Sequence, residues 1–175
     1  YRGLMAKGEL PCEWREKGLL YVYRSREKFE SYEETNDLLS ERFGESATRL
    51  SEEDLLALEP ALKPGLAGAW WYEEDTHLRA DCLMESWKKN LSDRGVEVRE
   101  RCALTGIRSG PDDFLTVETE HGPLEANRLV VAAGAWTPLL RDLLGWRAPI
   151  QPGKGYSLTM PRPETCPETP MIFPE

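Results

Sequence analysis

The chain has 175 residues, enough to bury one or two hydrophobic cores, and its formal net charge is -9. This acidic balance argues against nucleic acids and anionic membrane surfaces as main partners. No apolar run reaches the length of a transmembrane segment. Because residue 1 is a tyrosine and no signal peptide follows it, we expect a piece of a longer protein.

The cysteines are far apart in the sequence and form no C-x-x-C pair: Cys12, Cys82, Cys102 and Cys166. This spacing argues against a zinc site or a redox motif. With only two histidines in the chain, a histidine-rich metal site is not expected either. We therefore predict no metal and reduced thiols, as in a cytoplasmic protein.

In the first part of the chain, apolar runs at 19–23 and 68–72 predict two strands. Apolar residues at helical spacing predict a helix over 26–43, which Gly44 ends. The sequence from Ser51 to Asp54 has the pattern of a capping box and predicts the start of a second, shorter helix.

The second part is predicted to begin with a helix over 81–93, which Gly95 ends. Alternating or apolar runs then predict further strands, at 96–99, 103–108, 114–119, 128–133 and 150–160. Turn residues at 110–113 and 120–123 would connect several of them into an antiparallel meander. The proline-rich tail from residue 161 onward is predicted to be a loop or an edge segment.

A short apolar run, 129–136, ends in small residues and leads directly into a predicted helix. Thr137 would be its N-cap, Pro138 would take the first helical position, and Gly145 would end it. Such a turn suits a nucleotide, since the backbone can approach a phosphate or ribose closely and helix N–H groups attract negative charge. The alternative is an ordinary core strand followed by a surface helix.

The order of these elements resembles the central part of FAD-dependent oxidoreductases of the D-amino-acid oxidase and dehydrogenase superfamily, to which glycine oxidase and sarcosine oxidase belong. Four segments carry the resemblance, which covers nearly the whole chain: G-L-L-Y-V at 18–22, L-S through E-P-A-L at 50–62, G-V through L-T-G-I at 95–107, and V-V-A-A-G-A-W at 130–136 followed by P-I-Q-P-G-K-G-Y at 149–156. The last match is most similar to the D-amino-acid dehydrogenase branch.

The resemblance implies a mixed α+β fold that forms part of an FAD-binding flavoprotein. Residues 1–75 and 149–175 would belong to a substrate domain with an antiparallel sheet, and residues 76–148 to an incomplete FAD domain. The family's G-x-G-x-x-G fingerprint and its glycine-rich C-terminal FAD segment are both absent. We therefore expect this chain alone to bind FAD poorly or not at all, and to expose apolar surface that the rest of the protein covers.

The resemblance also implies which residues contact FAD: Leu104 through its backbone, and Ala132, Ala133, Gly134 and Trp136 beside the phosphates and ribose. An ordinary core position is the alternative for Leu104. In the intact protein, hydride would pass to FAD from the carbon beside the amine of an amino acid or secondary amine. Tyr156 is a candidate for the wall of the substrate site or a hydroxyl donor there, with packing as the alternative.

A substrate carboxylate would need an arginine, because the guanidinium group grips a carboxylate with two hydrogen bonds. The sequence offers five candidates and selects none: Arg24, Arg49, Arg79, Arg147 and Arg162. His77, just before the predicted third helix, is interpreted as a capping or interdomain residue rather than a catalytic one.

Two other functions remain open from the sequence. One is an FAD-dependent relative acting on a hydroxy acid or on glycerol phosphate, although no basic cluster for a phosphate is evident. The other is a non-catalytic α+β binding domain. For the enzyme we expect a cytoplasmic location, either free or peripheral at the inner face of the membrane.

Overall fold

The computed structural model describes residues 2–5, 8, 10–110 and 114–174, and these divide into two compact units. The first unit combines the chain up to Val96 with the segment from Pro161 onward, and the second runs from Glu97 to Met160. Both contain helices and antiparallel strands, which confirms the predicted α+β class. The assignment of 1–75, 76–148 and 149–175 to functional domains stays a prediction.

The helices and strands of the first unit follow in chain order: α1 (Arg2–Met5), β1 (Leu19–Tyr23), α2 (Arg26–Phe43), β2 (Thr48–Leu50), α3 (Glu52–Leu58), β3 (Gly68–Tyr72), α4 (Ala80–Asp93) and, after the second unit, β7 (Met171–Ile172). Four of them form one sheet in the order β2-β3-β1-β7. Strands β1 and β3 pair antiparallel, whereas β7 pairs parallel to β1. The predicted strands at 19–23 and 68–72 and the helix at 26–43 are therefore confirmed.

The predicted capping residues end α2 and begin α3. Gly44 adopts a left-handed conformation after α2, and its N–H donates to the carbonyls of Leu39 and Ser40. At α3, the Ser51 side chain accepts from the N–H of Asp54, and the Asp54 carboxylate accepts from the N–H of Ser51. These caps satisfy backbone groups that the helices leave unpaired.

The sheet of the first unit is covered on both faces. Leu20 and Val22 on one face pack with Leu55 of α3. Tyr23 on the other face packs with Phe29 of α2 and with Trp70. Because strand residues alternate between faces, the run at 19–23 contributes to two separate apolar clusters.

The second unit contains a three-stranded antiparallel meander followed by a short helical stretch: β4 (Leu104–Ser109), β5 (Leu115–Thr119), β6 (Gly122–Ala126), a 3-10 helix (Gly134–Leu140) and α5 (Arg141–Leu144). Strands β4 and β5 confirm the predictions at 103–108 and 114–119. The turn predicted at 110–113 lies partly outside the described residues, since 111–113 are not described.

Three predicted strands are wrong. Residues 96–99, 128–133 and 150–160 form no strand, because none of them pairs with a strand in the described part of the chain. The third strand of the meander is instead β6, so the turn predicted at 120–123 is shorter and Gly122 and Pro123 lie within the strand.

The predicted cap before α5 is also wrong. Thr137 is not an N-cap, because it lies inside the 3-10 helix with its side chain buried, and Pro138 is inside the same helix. Gly145 does end α5, in a left-handed conformation, as predicted. No helix of the described residues is both long enough and apolar enough to cross a membrane.

Candidate functional site

Leu104, the first of the predicted cofactor residues, is the first residue of β4 and is half-buried. It pairs with Thr119 of β5, and the register shifts between Leu104 and Gly106. Its backbone therefore lies at the end of the meander, beside an irregularity that interrupts regular strand pairing.

The other predicted cofactor residues lie on one surface segment. Ala132 is exposed and Ala133 is half-buried. Trp136 is 71% exposed, and its backbone N–H donates to the carbonyl of Ala133. Gly134 has a φ of +52°, and no described atom outside its chain neighbours would lie within 4 Å of a Cβ built there. A bulky group can therefore approach the backbone at Gly134 closely.

This segment fits one side of a nucleotide site. The small side chains of Ala132 and Ala133 and the open backbone at Gly134 would accept a phosphate or ribose. The glycine-rich turn that binds the pyrophosphate between a strand and a helix is absent from the sequence. The segment thus has the small residues and open backbone of a nucleotide-binding turn without the glycine-rich fingerprint.

The segment and Leu104 belong to the same compact unit, and α5, which follows the 3-10 helix, contacts β4. Large apolar side chains of this unit face solvent, including Val130, which is 86% exposed, and Trp136. This exposure agrees with the expectation of uncovered apolar surface. No group of His, Cys, Asp and Glu residues among those described could hold a metal ion.

Tyr156 is 89% exposed and lies outside any strand, and both the substrate-site role and the packing alternative stay predictions. The Nζ atom of Lys154 lies 5.1 Å from the centre of its ring. An ammonium in this position is attracted to the face of the ring. Tyr156 is thus free to contact a ligand or another part of the protein.

The structure separates the five arginines proposed for a carboxylate. Arg24 lies over the ring of Phe173, and Arg49 pairs with two glutamates of α2. Arg147 borders a shallow cavity beside α5. The remaining two, Arg79 and Arg162, line one cleft in the first unit.

His77 lines the same cleft, together with Arg15, which the sequence analysis did not single out. The predicted capping role of His77 is wrong, because Arg79 is the N-cap residue of α4 and no side chain caps that helix. The interdomain role stays a prediction. No local pattern marks Arg15, whose partner His77 is distant in sequence.

Residues 1–175 match the family described as FAD dependent oxidoreductase (DAO), and the chain belongs to this family. A D-amino acid dehydrogenase from Methylobacterium nodulans is 32% identical over 164 residues, which cover 91% of this chain and 39% of that protein. The bifunctional protein ThiO/ThiG from Trichormus variabilis is 28% identical over 144 residues, covering 82% of this chain and 21% of that protein.

Among solved structures, glycine oxidase from Geobacillus kaustophilus is similar with a TM-score of 0.73 and 24% identity, covering 82% of this chain and 40% of that one. This likeness shows the fold. The chain spans about two fifths of the length of the dehydrogenase and of the oxidase.

Proposed function

We propose that this chain forms part of a flavin-dependent oxidoreductase that oxidises the CH–NH bond of an amino acid or secondary amine, with FAD as the hydride acceptor. The observation that carries the proposal is the similarity to a D-amino acid dehydrogenase at 32% identity over 91% of the chain. Membership of an oxidoreductase family argues against the non-catalytic binding domain.

In this proposal the second unit contributes one side of the FAD site. Leu104 contacts the cofactor through its backbone, which any apolar side chain permits. Ala132, Ala133, Gly134 and Trp136 lie beside its phosphates and ribose, where small side chains and an open backbone are required. FAD supplies the redox chemistry when it is bound, and the protein orients the substrate C–H bond.

Tyr156 is proposed to form a wall of the substrate site. Its exposed ring offers a flat apolar surface, and its hydroxyl offers a donor. The amine is neutral at the moment of hydride transfer, so no strong protein base is required.

We place the parent protein in the cytoplasm, free or peripheral at the inner face of the membrane. All four cysteines are free in the structure, as expected in a reducing compartment. The acidic net charge favours the free form over binding to an anionic lipid surface.

The reaction class is tested with the full-length parent. We expect its visible absorption spectrum to show oxidised flavin, and this absorbance to bleach on anaerobic addition of a D-amino acid, glycine or sarcosine. The identity of the bleaching compound begins to define the substrate. A folded, colourless protein that does not take up added FAD would contradict the proposal.

The position of the cofactor is tested by Gly134→Val in the full-length parent. We expect a loss of bound flavin of about tenfold or more, because the isopropyl group occupies the open approach to the backbone. The measurement is the ratio of flavin absorbance to protein after gel filtration.

Gly145→Val is the matched control for backbone strain. Gly145 also has a positive φ, +71°, with no described atom within 4 Å of its missing Cβ, but it ends α5 outside the proposed contact segment. We expect this variant to retain flavin. Equal flavin content in the two folded variants would place the cofactor elsewhere.

A further inference from the structure

A cleft of about 290 Å³ lies in the first unit, and none of its lining residues is among those proposed to contact FAD. Three separate segments form it: the stretch before β1, the stretch before α4, and the tail that leads to β7. The charged and titratable residues that line it are Glu13, Arg15, His77, Arg79, Arg162 and Glu168.

Backbone pairing builds one wall of the cleft. Arg15 and His77 form an isolated antiparallel bridge, with the N–H of Arg15 2.9 Å from the carbonyl oxygen of His77 and the reciprocal distance 3.0 Å. Residues that exchange both hydrogen bonds lie opposite each other, with their side chains on the same face. The guanidinium of Arg15 and the imidazole of His77 are therefore neighbours.

Several charges of the cleft are already neutralised. Arg79 pairs with Glu13, at 3.1 Å, and with Asp81. Glu168 pairs with Lys17, at 3.3 Å between the ammonium and the carboxylate. Arg79, Glu13 and Glu168 are therefore already paired, and we do not assign them to a ligand.

Two positive charges remain. Neither Arg15 nor Arg162 has an ion-pair partner among the residues that the structure describes, and both are exposed. The Nδ1 atom of His77 is buried and has no hydrogen-bond partner among the described residues. The pKa of His77 is lowered below its ordinary value, first by burial and second by the charge of Arg15, so the imidazole is neutral at pH 7.

We propose that this cleft binds a small carboxylate anion, held by the guanidinium groups of Arg15 and Arg162. A guanidinium presents parallel N–H donors that match the two oxygens of a carboxylate. The cleft volume lies at the lower end of the range for ligand pockets, which suits a small acid rather than a dinucleotide. The proposal does not depend on the proposed function, because it uses none of the residues proposed to contact FAD.

The two histidines of the chain provide the test. His77 lies in the cleft, and His121, which lies in the second unit and contacts the carbonyl of Arg101, is the internal control. The probe is sodium propionate, titrated into the chain at constant ionic strength while the imidazole NMR signals of both histidines are followed. Propionamide, which has nearly the same shape without the charge, is the control ligand.

We expect propionate to shift the signals of His77, to raise its pKa, and to leave His121 unchanged. The pKa rises because a bound anion offsets the repulsion that Arg15 exerts on the protonated imidazole. By linkage, propionate binds more tightly as the pH falls and His77 gains a proton. Propionamide is expected to have no effect.

Arginine variants inside and outside the cleft test whether propionate binds in the cleft or responds only to the overall charge of the protein. Arg162→Gln and Arg15→Gln are each expected to weaken propionate binding by about tenfold, the loss of one charge-assisted contact. Arg42→Gln, which removes an exposed arginine at the end of α2, is expected to leave the affinity unchanged.

Three outcomes overturn the proposal: no response of His77, an equal response to propionamide, or parallel shifts of His121. Unchanged affinity in the Arg162 and Arg15 variants overturns the assignment of these residues. If inorganic phosphate binds as tightly as propionate, the cleft is a general anion site and the assignment to carboxylates is wrong.

Discussion

Gly68→Ala is expected to destabilise the first unit by about 3–4 kcal/mol. Gly68 begins β3 with a φ of +139°, a backbone conformation that residues with a side chain rarely adopt. A Cβ there would lie 2.5 Å from the carbonyl oxygen of Leu50 and 2.8 Å from the ring of Phe29. The Leu50 oxygen belongs to the paired strand β2, so it cannot move without breaking the sheet.

Gly65→Ala is the control for this prediction. Gly65 has a φ of +102°, and no described atom lies within 4 Å of its missing Cβ, so alanine there adds backbone strain without a close contact. We expect a loss of about 1 kcal/mol. Unfolding in urea, followed by circular dichroism, measures the free energy of unfolding of both variants. Equal losses in the two would show that the close contacts at Gly68 do not contribute to its effect.

Glu59→Ala is expected to release the tail that carries β7, with a loss of about 3 kcal/mol in the free energy of unfolding. The carboxylate of Glu59 is only 3% exposed, and its Oε2 atom accepts from the N–H groups of Glu168 and Thr169, at 2.8 and 2.9 Å. Alanine leaves the buried N–H of Thr169 and the part-buried N–H of Glu168 without this acceptor.

Hydrogen exchange read by mass spectrometry tests this prediction directly. The amides of residues 168, 169, 171 and 172 are expected to exchange much faster in Glu59→Ala, while those between β1 and β3 keep their protection. Glu59→Gln retains an acceptor oxygen without the charge. We expect its exchange rates in the tail to lie between those of the unmodified chain and those of Glu59→Ala. Unchanged protection of the tail in Glu59→Ala would assign its anchoring to the pairing of β7 with β1 alone.

The comparison of sequence and structure shows where local information is sufficient. The bounds of α2 and the start of α3 could be predicted because Gly44 and the pair Ser51 and Asp54 act within one turn of the helix ends. The strands β1 and β3 could be predicted because their apolar runs are buried on both faces of a paired sheet.

The wrong strands have a shared cause. The apolar residues at 128–133 and 150–160 have the composition of strands, but a strand exists only where a neighbour supplies its hydrogen bonds. Among the described residues no such neighbour faces them. Composition indicates whether a segment tends to form a strand, but it does not indicate whether another strand is available to pair with it.

The same contrast between local signals and distant pairing applies to the candidate sites. The small residues from Ala132 to Gly134 could be recognised because they are contiguous in sequence. The pairing of Arg15 with His77 could not, because it is created by a bridge between distant segments. Arg162 enters the same cleft from a third segment still further along the chain.

The parallel pairing of β7 with β1 has a consequence for how the protein folds during synthesis. Glu59 and Thr169, whose hydrogen bond anchors the tail, are 110 residues apart in sequence. Contacts between residues this far apart form late in folding, because bringing them together first costs the conformational entropy of the intervening chain. Until the segment that carries β7 has been synthesised and has paired, β1 presents an unpaired edge, which favours association with other newly made chains.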